Sequence, residues 1–273
     1  MRLKDKVALI TGASHGIGKA TAIAYANEGA HIAFTHLGQE TGAAEMARLI
    51  EASGRRAHVM HADLTEATSC ERISQEALEV FGRVDILVNN AGGGAGSHGD
   101  LASLPLDKWR YALDLNLTAP LITSQVIVAH MIERGAGGSV INISSVHASH
   151  VWPRSAAYGV AKAALDRLTK SMAVEWAPWG IRANAIAPGY INTAETDAER
   201  QRYDMHDGQA APFITVQRTG RPSEIAELAV FLASDASSYV TGQSILADGG
   251  LLLPAITTSD FMRGTRDAEA HIG

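Results

Sequence analysis

Short apolar runs rich in β-branched residues alternate with helical segments along almost all of this 273-residue chain, and that alternation restricts its folds more than any other feature. The first run is Val7-Ala8-Leu9-Ile10, and others lie at residues 31–35, 57–61, 85–89, 140–143, 182–187 and 244–247. Their length and β-branched content read as buried strands. Between them, apolar residues recur at helical spacing up to about residue 28 and over 40–53, 69–81, 106–134, 156–176 and 223–234. A bend is expected near Asn116. Strand–helix alternation implies parallel strands joined by crossover helices. The expected class is therefore α/β, a single-domain, doubly wound parallel sheet of about seven strands with helices on both faces.

No repeat, low-complexity linker or charge block divides the chain, so residues 1–273 are expected to form one domain. Within it, a first half covers about residues 1–140, a second about 140–250, and a tail 251–273. Residues 190–216 are polar and irregular and read as a lid or loop. The tail is expected either to fray or to fold across a neighbouring active site. The composition, 46% hydrophobic and 19% charged, supports a substantial core. The net charge of −6 provides no basic field for nucleic acid or an anionic membrane. One cysteine, Cys70, rules out an intrachain disulfide and is compatible with the cytosol. The apolar run near the N-terminus, residues 7–10, is too short for a signal-peptide core or a membrane span. The expectation is a cytoplasmic protein with a small-molecule partner, without nucleic acid or membrane. Among eleven histidines, the pairs His58/His61 and His147/His150 lack a metal-binding helical context, and no metal is expected.

In an open parallel sheet, ligands bind beyond the C-terminal strand ends. Unusual residues collect at that edge. Thr11-Gly12-Ala13-Ser14-His15-Gly16-Ile17-Gly18 follows the first strand and opens a helix. Glycines there permit close approach of backbone to a diphosphate, which the helix N-terminus attracts. Thr35-His36, Asp63, Asn89 to Gly92, Ser145 and Pro188-Gly189 fall at the same edge. Tyr158 and Lys162 are i and i+4 on the helix after Ser145, one turn apart on one side. A free phenol is too weakly acidic to serve as a base at neutral pH, and a nearby ammonium favours the phenolate. Tyr158 can then exchange a proton with an alcohol or carbonyl whose oxygen Ser145 hydrogen-bonds.

These segments in this order resemble the short-chain dehydrogenase/reductases. TGASHGIG at 11–18, Asp63, NNAG at 89–92, Asn116, Ser145, YGVAK at 158–162 and PGYINT at 188–193 carry the resemblance, which covers residues 5 to about 250. It implies a Rossmann-type fold, an NAD or NADP cofactor, and hydride transfer between nicotinamide and a secondary alcohol or carbonyl. By resemblance, Tyr158 is the acid/base, Ser145 orients the substrate oxygen, Lys162 binds the nicotinamide ribose, and Asn116 holds a water of the proton relay. Cofactor contacts are implied at Gly12, Ser14, His15, Gly16, Ile17, Gly18, Thr35, His36, Asp63, Leu64, Asn90, Ala91, Gly92, Tyr158, Lys162, Pro188, Gly189, Ile191 and Thr193. Asn89 reads instead as a brace between strands. The second strand ends without the carboxylate that disfavours a 2′-phosphate, and without a cation that would attract one, so NAD versus NADP stays open. Family resemblance also implies a homotetramer.

The loop from Ser145-Val146-His147 to Val151-Trp152-Pro153 is similar to that of the glucose 1-dehydrogenase branch. Ser145, His147, Tyr158, His98, Arg154 and Asn192 are the expected substrate contacts, with His150 and the loop 195–210 beside them. The expected reaction is oxidation of an aldose at C1 to its lactone. The alternative is reduction of a ketone such as a 3-oxoacyl thioester. A non-catalytic, cofactor-binding regulator is the rival class. Such a chain is expected to lack at least one of Asn116, Ser145, Tyr158 and Lys162, and all four are present.

Overall fold

In the computed structural model, residues 1–94, 96–193 and 213–253 are described. The expected loop 195–210 and the tail beyond residue 253 lie outside them. Seven strands, β1 (Val7–Ile10), β2 (His31–His36), β3 (Ala57–His61), β4 (Ile86–Asn89), β5 (Gly138–Ile143), β6 (Ile181–Pro188) and β7 (Ser244–Ala247), form one sheet in the order β3-β2-β1-β4-β5-β6-β7. Every pairing is parallel. Helices α1 (Gly16–Asn27), α2 (Glu40–Ala52), α3 (Ala67–Phe81), α4 (Leu106–Leu113), α5 (Ala119–Arg134), α6 (Ala156–Trp176) and α7 (Pro222–Ala233) cover both faces. Strand order reverses between β1 and β4, which opens the crevice where such sheets bind ligands.

Side chains alternate across each strand and so build two cores. Ala8 and Ile10 face one way, with Ile32, Phe34, Tyr25, Met46 and Val230. Val7 and Leu9 face the other, with Leu87, Ile73, Ile127, Met131 and Met172. Fully burying a side chain of this size stabilises the fold by roughly 1.5–3 kcal/mol. At the edge away from the crevice, Asp85 accepts hydrogen bonds from Val7 N (2.9 Å), Arg83 Nε (3.1 Å) and Arg134 Nη1 (2.7 Å). Burial alone would raise the Asp85 pKa, but these donors hold it below the ordinary carboxylate value.

The apolar stretch 106–134 is not one regular helix. Asp114–Thr118 forms a π-helical turn between α4 and α5. Pro120 lies in the first turn of α5 and has no N–H to give to the carbonyl four residues back, at Asn116. Widening the helix there accommodates the missing bond, and the expected bend takes this form. By length and composition the run 106–134 is apolar enough to cross a membrane. Here its buried residues, among them Thr123, Ile127 and Met131, pack against α3 and the central strands.

A buried polar ladder ties these layers together. Asn89 Nδ2 donates to Asn142 Oδ1 (2.8 Å) and Ser124 Oγ (3.1 Å), and Thr123 Oγ1 donates to Asn89 Oδ1 (2.7 Å). Asn142 Nδ2 continues to Thr169 Oγ1 on α6 at 2.8 Å. Asn89 and Asn142 are register partners on β4 and β5, so the ladder fixes α5 and α6 against the strands that deliver the site.

Candidate active site

The turn between β1 and α1 is built by its own neighbours. Gly12 has φ +64°, a backbone region open mainly to glycine. Its N–H donates to Thr35 Oγ1 (2.9 Å), and Ala13 N donates to Thr35 O (3.0 Å). Asn90 Nδ2 donates to Thr11 O and Gly12 O, both at 2.8 Å. Thr11 Oγ1 accepts from Asn90 N (3.0 Å) and Ala91 N (2.9 Å). A Cβ on Gly18 would collide with Asn90 Nδ2 and Gly12 O. Gly16 faces Thr193 across the crevice, with 3.5 Å between its missing Cβ and Thr193 Cγ2. His15 precedes α1 in extended conformation and makes no side-chain cap. The first N–H groups of a twelve-residue helix are thus left to an anion, and the donor set fits a dinucleotide diphosphate.

Two expected cofactor contacts, Thr35 and Asn90, use their side chains to build the turn. Thr35 is 1% exposed and spends its hydroxyl and carbonyl on the glycine turn, so it shapes the site from behind. The Asn90 side chain does the same from just after β4. His36 is buried, with its ring edge-on to His61 at 5.3 Å, and desolvation followed by repulsion from His61 lowers its pKa. Ser14 Oγ donates to Gln39 Oε1 at 2.6 Å and so joins the turn to the loop after β2. Gln39 was not among the sequence candidates, and the only signal for it in the sequence is the glycine that precedes it after the second strand. Asp63 Oδ1 closes a local turn by accepting from Thr65 N (2.9 Å) and Thr65 Oγ1 (2.7 Å), while Leu64 is buried beside it. Pro188 ends β6 opposite Ala247, and Ile191 forms a bridge to Gly220. Gly189 permits Asp248 to approach, because a Cβ would lie 2.8 Å from Asp248 Cα.

At the neighbouring strand end, α6 carries Tyr158 and Lys162. Lys162 is 3% exposed, and its Nζ donates to Ile143 O at 2.8 Å. That nitrogen lies 5.6 Å from the Tyr158 ring centroid. Burial pushes the ammonium pKa down to about 8, against a smaller upward pull from Asp166. Loop residues 92–93 pass directly over this group. A Cβ on Gly92 would lie 3.1 Å from Lys162 Nζ and 2.7 Å from Asn116 Oδ1. The fully buried Asn116 holds that loop, donating to Gly93 O (3.1 Å) and Ala112 O (3.0 Å) and accepting from Gly93 N (3.0 Å). Both Asn116 side-chain donors thus serve backbone carbonyls, while its own carbonyl receives no helical N–H from Pro120.

Ser145 is 7% exposed and starts the short turn Val146–Ala148. Its Oγ accepts from His147 N at 3.2 Å and lies 3.2 Å from His147 Nδ1. The His147 ring stacks on Trp152 at 4.3 Å and meets Tyr158 edge-on at 5.2 Å. Trp152 is thus a wall of the site that sequence reasoning missed as a contact. Gly94 sits between His98 and Tyr158, with its missing Cβ 3.0 Å from His98 Nε2 and 3.7 Å from Tyr158 Cγ. Arg154, His150 and Asn192 are exposed, and no described contact brings them to Ser145 or Tyr158. Among the described residues no group of three or more His, Cys, Asp or Glu side chains is placed to hold a metal.

A parallel sheet with a glycine turn at its reversal point, and a buried lysine beside a tyrosine one strand away, defines a dinucleotide-dependent oxidoreductase. The family model described as enoyl-(acyl carrier protein) reductase matches residues 12–252. The chain belongs to the short-chain dehydrogenase/reductases, enzymes that act on CH–OH donors with NAD or NADP. It is 37% identical over 253 residues to 3β-hydroxysteroid dehydrogenase 1 of Eggerthella lenta, covering 92% of this chain and 95% of that one. It is 33% identical over 251 residues to glucose 1-dehydrogenase 2 of Bacillus subtilis, covering 92% and 96%. The crystal structure of acetoin dehydrogenase from Enterobacter cloacae superposes with a TM-score of 0.84 at 38% identity, covering 92% and 98%.

Proposed function

We propose that this enzyme oxidises an aldose at C1, with Tyr158 as the acid/base, Ser145 as the hydrogen-bond partner of the reacting oxygen and Lys162 as the cation that makes Tyr158 usable. In the oxidising direction, the substrate O–H proton passes to the Tyr158 phenolate as the carbinol C–H bond breaks and the C=O bond forms. NAD or NADP, when bound, supplies the position that takes up the hydride. The buried Lys162 ammonium, 5.6 Å from the Tyr158 ring centroid, stabilises the phenolate. The uncapped α1 terminus and the glycines at 12, 16 and 18 hold the diphosphate, with Ser14, His15, Ile17, Asp63, Leu64, Ala91, Gly92, Pro188, Gly189, Ile191 and Thr193 around the remainder. Asn116 acts by holding loop 92–93 over Lys162.

One observation carries the substrate reading: Ser145, His147 and Trp152 form a single cluster against Tyr158. A flat apolar wall beside hydrogen-bonding groups suits the mixed surface of a sugar ring. Similarity to a bacterial glucose 1-dehydrogenase supports the same reading. The second reading is reduction of a ketone, including a 2-hydroxyketone of the acetoin type. It is favoured by the exposure of Arg154, His150 and Asn192, which leaves His98 and His147 as the imidazoles near Tyr158. A screen of NAD and NADP reduction over neutral and acidic aldoses and a 3β-hydroxysteroid separates them, with acetoin and an acetoacetyl thioester run in reverse against NADH and NADPH. Clear turnover of acetoin, steroid or thioester with none for any aldose would end the sugar reading. We further propose a cytoplasmic homotetramer, in keeping with one buried, reduced cysteine and the apolar residues exposed on α6.

A further inference from the structure

We propose that His147 is the positioning residue that makes Ser145 a hydrogen-bond donor toward the substrate oxygen. This inference rests on the reading of Ser145 as the group that meets that oxygen. A serine hydroxyl has one donor and two lone pairs. The His147 N–H fills one lone pair at 3.2 Å, and His147 Nδ1 lies at the same distance from Oγ. With a proton on Nδ1, the ring donates to Oγ and fills the second lone pair. The hydroxyl proton is then the only valence left, and it goes to the substrate. With Nδ1 bare, the hydroxyl proton turns to the ring instead, and Ser145 offers only a lone pair to an oxygen that needs a donor. The Nδ1–H form is therefore the productive one, and both the corresponding neutral tautomer and the imidazolium supply it.

Two ring contacts hold the imidazole in this place, and a third feature sets the backbone turn that carries it. Trp152 stacks on it with 27° between ring planes, and the Tyr158 ring meets it at 71°. The third is Gly159. A Cβ there would stand 3.3 Å from His147 O, so a side chain next to Tyr158 would crowd the turn against α6. One imidazole thus touches both Ser145 and Tyr158 and orients the hydroxyl of the first.

The test pairs His147→Leu with His147→Asn, each with and without Ser145→Ala. Asparagine keeps an N–H donor close to the Nδ1 position, leucine removes it, and both keep the backbone N–H. Turnover is measured with whichever of D-glucose, acetoin or acetoacetyl thioester gives the highest rate. Cofactor affinity is read separately, by fluorescence titration of NAD and NADP without substrate. His147→Leu misaligns the Ser145 donor without removing it, so kcat is expected to fall by no more than the roughly 10²- to 10³-fold that outright loss of such a donor costs, with cofactor affinity unchanged. His147→Asn is expected to recover most of that loss, and His147→Leu to add nothing once Ser145 is Ala. Equal damage from Leu and Asn, full activity of the Leu variant, or additive losses in the double variant would overturn the proposal. Undiminished turnover by Ser145→Ala alone would overturn the reading of Ser145 beneath it, which the single His147 variants do not test.

Discussion

Lys162 carries its charge into the core, and its energetics can be tested apart from catalysis. Its native pKa is about 8, below the ordinary 10.5, because burial disfavours the ammonium. Between those pH values the unfolded chain holds a proton that the native chain has released, so this residue makes stability rise with pH across that window. Below it, the buried ammonium costs the fold about 3 kcal/mol. Lys162→Met is expected to lose most turnover, yet to compare better with the parent at pH 7 than at pH 10 in urea unfolding. An equal stability difference at both pH values would contradict the assignment. Under the proposed mechanism Tyr158→Phe removes the proton-transferring hydroxyl and keeps the ring against His147, so kcat is expected to fall by roughly 10²-fold or more with the melting temperature unchanged. Near-parental turnover would exclude Tyr158 as acid/base. Cofactor choice also belongs at this scale. The end of β2 presents no carboxylate against a 2′-phosphate, and fluorescence titration is expected to show both NAD and NADP binding within about a thousandfold, some 4 kcal/mol. A wider gap would mean that a residue other than Thr35 and His36 decides.

At the scale of the element, the turn between β1 and α1 depends on contacts from two other strands. Thr35 on β2 and Asn90 after β4 hold its backbone, and Gly18 leaves room for them. Gly18→Ala places a methyl against backbone and amide that cannot move far. A stability loss of about 1–3 kcal/mol is expected, together with weaker cofactor binding, measured by denaturant unfolding and titration. Unchanged affinity would show that the turn tolerates displacement. The π-helical turn at Asp114–Thr118 is legible in part, because Pro120 marks where a helical bond must be missing. That the widened turn places Asn116 on the backbone of Gly93 is a tertiary fact. Strand existence was legible for all seven strands, while β5 begins two residues early because Ser139 N finds Asp85 O at 3.1 Å on its neighbour.

For the whole molecule, the prediction concerns assembly. Val160 (47% exposed) and Val174 (76%) stand out from α6, and Leu246 (51%) from the edge strand β7. A four-residue edge strand leaves backbone groups for another chain to cover. Sedimentation at micromolar concentration is expected to show a tetramer, and a monomer alone would refute it.

The sequence by itself determined the α/β class, the parallel topology and the sheet edge where chemistry collects, because periodicity and glycine placement act over a few residues at a time. It also placed Tyr158 and Lys162 on one face, since helix geometry alone does that. What each polar group binds was decided by tertiary structure. The side chains of Thr35, Asn90 and Asn116 make hydrogen bonds to backbone 23, 78 or 79, and 23 residues away. Trp152 entered the site only through ring stacking on His147. Burial removes water as the default partner of a polar atom, so its partner becomes whatever the packed fold brings within 3 Å or so, and no local pattern encodes that.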